Sequence, residues 1–277
     1  MLKLAVLGKD VSQSDSPRIH NFILGRLGKK CTYDKISIPS TEFSDRIEEL
    51  LSSYDGLNIT IPFKGEVIPF LKKLKGDALS FGAVNTVLCK KRMGFNTDGA
   101  GFLLMLENEG VELKGKSALV LGAGGAGRSC IRKLTESGAE VYAYERDEER
   151  LYAVYAEFGG FTPCKEVPLR NYDIVINCTG IGMHNTVGKT PAIAMEGGGI
   201  VPAGEELLSR CETVVDLIYV PAESEFLRIG RELGKRTVNG AAMLFYQAYY
   251  ADCIFLKKKP NAAVAKKLYT AYREENK

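Results

Sequence analysis

Histidine is nearly missing from this chain: His20 and His184 are the only two in 277 residues. Imidazole is the usual proton carrier near neutral pH, so acid–base chemistry here must fall mainly to other side chains. Packing or surface roles are expected for both histidines. The seven cysteines are scattered and no two have the C-x-x-C spacing. Such a set reads as reduced thiols, not as a disulfide framework or a zinc site, and no metal site is expected. No apolar stretch is long enough to cross a bilayer, and residues 1–7 lack the plan of a signal peptide. The formal net charge is +3, too small to argue for nucleic acid or an anionic membrane surface. The basic run 257–259 reads as a solvated helix end. Internal repeats and low-complexity segments are also lacking. Reduced thiols point to the cytoplasm, and a monomer or homodimer is expected.

The most informative stretch is 117–127, Ser-Ala-Leu-Val-Leu-Gly-Ala-Gly-Gly-Ala-Gly. An apolar strand breaks into Gly122, Gly124 and Gly127, and a helix-like stretch follows from 128 to 136. Gly122 permits a tight turn, Gly124 lets the backbone approach a pyrophosphate, and Gly127 lets the helix pack close to its strand. The turn Gly122, Ala123, Gly124, Gly125, Ala126 then aims N–H groups at the phosphates. The bland alternative is a strand-to-helix turn with no ligand. Strands expected at 141–144, 173–177, 214–218 and 236–238 alternate with helices at 147–158, 205–210 and 224–233, with a Gly- and Pro-rich loop over 186–204. That alternation predicts a doubly wound parallel sheet.

The chain before it reads as a small α/β domain. Strands are expected at 2–7, 32–38 and 56–61, helices at 17–27, 42–52 and 66–74, and a hairpin over 83–88 and 92–96. A helix over 98–110 marks the domain boundary. Two further helices, 241–255 and 262–274, have no strand after them, and periodicity leaves their domain open. The fold class is α/β in two domains: a small N-terminal α/β domain and a Rossmann-like doubly wound nucleotide domain.

Four polar stretches in the first domain need explaining. Ser14 and Ser16 flank Asp15 just before a helix, where either could be a plain N-cap. Asn58 and Thr60 share one face of a strand, with Lys64 just past its end. Taken alone, that lysine is a solvated surface residue. Asn85 sits in the hairpin, where it could satisfy its own turn. Asp98 begins the boundary helix, where a carboxylate also favours the helix dipole. Together they make an unusual set for one small domain.

These residues resemble the shikimate dehydrogenase family over nearly the whole chain. The resemblance is carried by 14–17 with His20, by Asn-Ile-Thr-Ile-Pro-Phe-Lys at 58–64, by 82–86, by Asn-Thr-Asp-Gly at 96–99, by 122–127, 177–179 and 216–219, and by 238–247. It implies reduction of 3-dehydroshikimate to shikimate on the chorismate route to aromatic amino acids. By the same resemblance, Ser14, Ser16 and Tyr219 would bind the substrate carboxylate. Thr60, Asn85, Asp98 and Gln247 would bind the ring hydroxyls, and Lys64 with Asp98 would stand at the reacting carbonyl. Ketone reduction needs a hydride on carbon and a proton on oxygen. With so little histidine, Lys64 is the natural proton carrier, held by Asp98. Gly240 and Met243 would border the nicotinamide, and Leu217 would bind the cofactor. The implied domains are 1–98 plus 241–277 for substrate and 99–240 for the dinucleotide.

Two positions depart from the family pattern. Glu145-Arg146-Asp147 stands where the family often has Asn-Arg-Thr, whose arginine holds the 2′-phosphate of NADP. A carboxylate about twenty residues past the glycine turn suits the ribose 2′-OH of NAD. Arg146 and Arg150 argue for NADP, which the family favours; NAD is not excluded. Gly180 stands where the family usually has serine. The alternatives are an NAD-dependent quinate/shikimate dehydrogenase and a non-catalytic sensor of a dinucleotide and a small acid.

Overall fold

Strand β1 (Leu2–Gly8) is covered on both faces. Leu4 and Val6 pack with Leu24 and Phe255, whereas Ala5 and Leu7 pack with Phe43, Ile47 and Leu57. A strand apolar on both sides belongs inside a sheet flanked by helices. The computed structural model, which describes residues 1–197 and 199–276, puts it there. The side chain of His184, and with it the role expected for that residue, lies outside the described residues.

The chain divides into two compact units, Met1–Leu104 with Leu244–Lys277, and Met105–Met243. In the first, β1 leads to α1 (Ser16–Arg26), β2 (Cys31–Ser37), α2 (Phe43–Ser53) and β3 (Gly56–Ile59). β1 lies between β2 and β3 and is parallel to both. Then come β4 (Lys73–Leu74), α3 (Asp77–Phe81), β5 (Thr86–Leu88), β6 (Met93–Phe95) and α4 (Asp98–Asn108). The sheet order is β2-β1-β3-β5-β6-β4, with β5 antiparallel to both its neighbours. The helix expected over 66–74 is absent; only a 3-10 turn, Ile68–Phe70, precedes β4. Pro69 has no N–H to give a helix. The N–H groups of Lys72 and Lys75 bond instead to Arg92 O and Gly94 O beside β6.

The second unit alternates β7 (Ser117–Leu121), α5 (Gly125–Glu136), β8 (Glu140–Tyr144), α6 (Glu148–Phe158), β9 (Thr162–Cys164) and β10 (Tyr172–Asn177). A hairpin of β11 (Ala192–Met195) and β12 (Gly199–Pro202) follows, then α7 (Glu205–Leu208), β13 (Cys211–Asp216), α8 (Glu225–Glu232) and β14 (Arg236–Asn239). The six main strands are parallel in the order β14-β13-β10-β7-β8-β9. Counted from β7 and read from β9, this is the 3-2-1-4-5-6 order of a doubly wound Rossmann sheet. Its switch point lies between β7 and β10. The hairpin occupies part of the loop expected over 186–204, and three-residue β9 is an addition to the expected strands.

Helices α9 (Ala241–Phe255) and α10 (Ala262–Glu275) close the chain. Ala251 and Phe255 of α9 cover the Leu4 and Val6 face of β1. Gly56 accommodates that contact, because a Cβ there would lie 2.4 Å from the Phe255 ring. Among the described residues no helix is long and apolar enough to cross a membrane.

Candidate functional site

Just past β3, Phe63 is fully buried and stacks on Phe43 at 4.3 Å between ring centroids. That anchor fixes the next residue, Lys64. Its Nζ lies 2.7 Å from Asp98 Oδ2, at the start of α4. The Asp98 N–H is met by Asn96 Oδ1 at 2.9 Å, and Asn96 Nδ2 donates to Ala83 O at 3.0 Å. The Asp98 carboxylate goes to other partners: Lys64 takes one oxygen, and Asn85 Nδ2 donates to the other at 2.8 Å. Asn85 in turn accepts the Thr97 N–H at 3.0 Å and reaches Gln247 Oε1, on α9, at 3.4 Å. The lysine and aspartate side chains are 23% and 11% exposed, so the pair is sheltered yet open on one side. The structure thus brings Lys64, Asn85, Asp98 and Gln247 into one cluster. Thr97, at its centre, was not singled out by sequence reasoning, although it lies inside the Asn-Thr-Asp-Gly motif.

Ser14 and Ser16 form a pair of their own. Asp15 occupies the N-cap position of α1, with no side-chain cap bond. Ser14 Oγ accepts the Ser16 N–H at 3.2 Å and donates to Ser16 Oγ at 3.1 Å. Both hydroxyls are half-buried. Thr60 is half-buried at the end of β3, its N–H on Leu7 O.

In the second unit, the glycine turn has the geometry its spacing calls for. Gly122 has φ +98°, a conformation that side chains with a Cβ rarely adopt. A Cβ on Gly127 would lie 2.0 Å from Gly122 O, so α5 can approach β7 only through glycine. Gly124 and Gly125 have open space where a Cβ would be, and α5 starts at Gly125. That is a fit for a pyrophosphate at a helix N-terminus. The cleft beside the turn is lined by Gly122, Gly124, Glu145, Arg146, Arg150, Thr179 and Gly180. Both departures from the family pattern face it. Glu145 Oε2 accepts the Ala123 N–H at 3.0 Å, and its other oxygen takes the Asp147 N–H at 3.3 Å. Arg150 stands 3.7 Å away as a counter-charge. The carboxylate is thus tied to the glycine turn itself. Ala126 lies in the first turn of α5.

At the carboxyl ends of β10 and β13, Asp216 is fully buried. It accepts from Asn177 Nδ2 at 3.1 Å, the Ile218 N–H at 3.0 Å and Ser224 Oγ at 2.5 Å. Burial pushes its carboxyl up to about 6, against the pull of those donors. The bonds pin the loop that carries Leu217 and Tyr219. Gly240 lies against Leu217, since a Cβ there would meet Leu217 O at 2.1 Å. Met243 is buried in α9.

An open phosphate-binding turn on a doubly wound sheet, with an amine–carboxylate pair among amides and hydroxyls, defines a nucleotide-dependent oxidoreductase of small polar molecules. Comparison with known proteins narrows the class. Residues 6–87 match the family described as shikimate dehydrogenase substrate binding domain, and 105–190 the family described as shikimate / quinate 5-dehydrogenase. An NADP(+) shikimate dehydrogenase of Thermus thermophilus is 38% identical over 91% of each chain. That of Carboxydothermus hydrogenoformans is 32% identical over 95% of this chain and 94% of its own. Among solved structures, a shikimate 5-dehydrogenase from Thermus thermophilus, in complex with NADP(H) and shikimate, is 34% identical with TM-score 0.83, covering 97% of this chain and 98% of that one. A chorismate mutase/shikimate 5-dehydrogenase fusion protein from Clostridium acetobutylicum is 30% identical with TM-score 0.86, covering 99% and 98%. The chain belongs to the shikimate dehydrogenase family.

Proposed function

We propose that this protein catalyses the reversible, NADP-dependent reduction of 3-dehydroshikimate to shikimate, a step towards chorismate and the aromatic amino acids. The observation that carries the reading is the Lys64–Asp98 pair, 2.7 Å apart and ringed by Asn85 and Gln247, in a chain of this family. In the proposed arrangement Ser14, Ser16 and Tyr219 donate to the substrate carboxylate. Thr60, Asn85, Asp98 and Gln247 hold the ring hydroxyls. Lys64 polarises the ketone and gives its oxygen a proton; in the reverse direction the amine takes that proton back. Asp98, fixed by Asn85 on its second oxygen, keeps the amine aimed. Residues 1–98 with 241–277 are assigned to substrate and 99–240 to the dinucleotide.

The bound nicotinamide supplies the hydride. The Gly122–Ala126 turn would face the pyrophosphate with the N–H groups of Gly124, Gly125 and Ala126, those of Gly122 and Ala123 being bonded to Tyr144 O and Glu145 Oε2. Arg146 and Arg150 would hold the 2′-phosphate, Gly240 and Met243 would border the nicotinamide, and Leu217 would bind the cofactor. Glu145 is held by the Ala123 N–H, and Arg150 stands between it and Asp147. The cytoplasm is the proposed compartment, and monomer or homodimer the proposed state.

The test is a nicotinamide absorbance assay with shikimate and quinate, each with NADP and NAD. The reading expects shikimate with NADP to give the highest kcat/KM. Faster turnover of quinate with NAD would replace it, and reversible ligand binding without any turnover would leave a sensor.

A further inference from the structure

Behind the serine turn lies a buried polar cluster that the proposed chemistry does not use. His20 and Asp252 are both fully buried, with His20 Nδ1 2.7 Å from Asp252 Oδ1. His20 Nε2 and Asp252 Oδ2 have no hydrogen-bond partner among the described residues. Such a pair adds little stability, because desolvation and unmet hydrogen bonds offset the contact. Leu24, Ala251 and Phe255 fill the neighbouring space with apolar groups, as a core built for stability alone would do throughout.

The placement of the pair supplies another account. His20 lies one turn beyond Ser16 on α1, so the two share a face. Asp252 lies on α9, the helix that carries Gln247. Tyr33 of β2 stacks on His20 with ring centroids 4.6 Å apart. Its hydroxyl donates to Asn58 Oδ1 at 2.7 Å. Burial, with the Asp252 charge adding to it, pushes the Tyr33 phenol well above its ordinary value, so it stays a donor. Asn58 Nδ2 then donates to Thr86 Oγ1 at 3.2 Å, and Thr86 Oγ1 to Asn85 Oδ1 at 2.9 Å. Hydrogen bonds therefore run unbroken from Tyr33 through Asn58 and Thr86 to Asn85.

We propose that Tyr33, seated on the His20–Asp252 pair, is a positioning residue for substrate binding, fixing the Asn85 amide in one arrangement through Asn58 and Thr86. The inference rests on reading Asn85 as a substrate-binding group. Asn58, whose motif drew attention in the sequence, acquires a role here as the link between Tyr33 and Asn85.

Tyr33→Phe in the full-length protein keeps the stacked ring and removes only the hydroxyl. Calorimetry should show the shikimate Kd raised about tenfold, the loss of one well-placed hydrogen bond. The NADP Kd should be unchanged and kcat within about threefold of wild type. A second variant, His20→Leu with Asp252→Leu, should fold with Tm at or above wild type, as replacement of a buried pair by apolar residues allows, yet bind shikimate more weakly. Unchanged shikimate affinity in either variant, or equal losses for shikimate and NADP, overturns the inference. Failure of the wild type itself to bind shikimate overturns the functional reading, and the inference with it.

Discussion

In the proposed reaction Lys64 carries the proton, because few other side chains here could do so. Its ammonium meets one Asp98 oxygen while Asn85 holds the other, so the pair is aimed without a histidine. Lys64→Ala should lower kcat by about a hundredfold or more while shikimate still binds. Single-turnover assays and calorimetry would check the two halves, and unchanged kcat would remove Lys64 from the mechanism. Asp216 makes a different residue-scale prediction. Burial raises its carboxyl to about 6, so between the unfolded value near 3.8 and that point the folded state holds a proton that the unfolded chain has released. Stability from this group is therefore present at pH 4 and lost as pH rises to 6, on the order of 2–3 kcal/mol in all. Asp216→Asn should abolish that fall. Tm measured from pH 4 to 7 should decline less in the variant than in wild type; parallel curves would refute the assignment.

The glycine turn sets the terms for the elements around it. Gly127→Ala would drive a Cβ into Gly122 O, which is backbone and has nowhere to go. Separation of α5 from β7 should then lower both Tm and NADP affinity. Gly124→Ala meets nothing within 4 Å, so Tm should hold while the methyl group obstructs the pyrophosphate and NADP affinity falls. Equal behaviour of the two variants would show that the turn serves packing alone. The elements were legible where period and punctuation agree, as in the β–α alternation from β7 to β14. They were not where a local signal misled. The pattern at 66–74 suggested a helix, but β6 claimed the N–H groups of Lys72 and Lys75. The hairpin of β11 and β12 hid in a Gly- and Pro-rich stretch, because each of its strands is only four residues long.

For the whole molecule, contiguous motifs were legible and long-range partners were not. The sequence put Lys64, Asn85 and Asp98 in recognisable runs, and the fold gathers them. No periodicity could pair His20 with Asp252, 232 residues away, or show that Tyr33 stacks on His20 and bonds to Asn58. The same long reach makes the first unit discontinuous, since residues 1–104 supply its sheet and α9 covers one face. Without α9, Leu4, Val6, Leu24 and Tyr33 would face water, and His20 would lose Asp252. The buried Phe245, Tyr249 and Phe255 would be missing as well. At about 1.5–3 kcal/mol for each large side chain, their loss removes on the order of 5–10 kcal/mol, as much as the whole stability of a typical domain. A fragment of residues 1–104 should therefore show no cooperative thermal transition by calorimetry and little near-ultraviolet circular dichroism. Joining residues 244–277 to it through a flexible Gly/Ser linker should restore both, because the α9 contacts depend on proximity and not on the intervening unit. A cooperative transition in the shorter fragment would mean that the sheet and its α2 face hold the fold unaided, and that α9 contributes only Gln247 and its neighbours to the site.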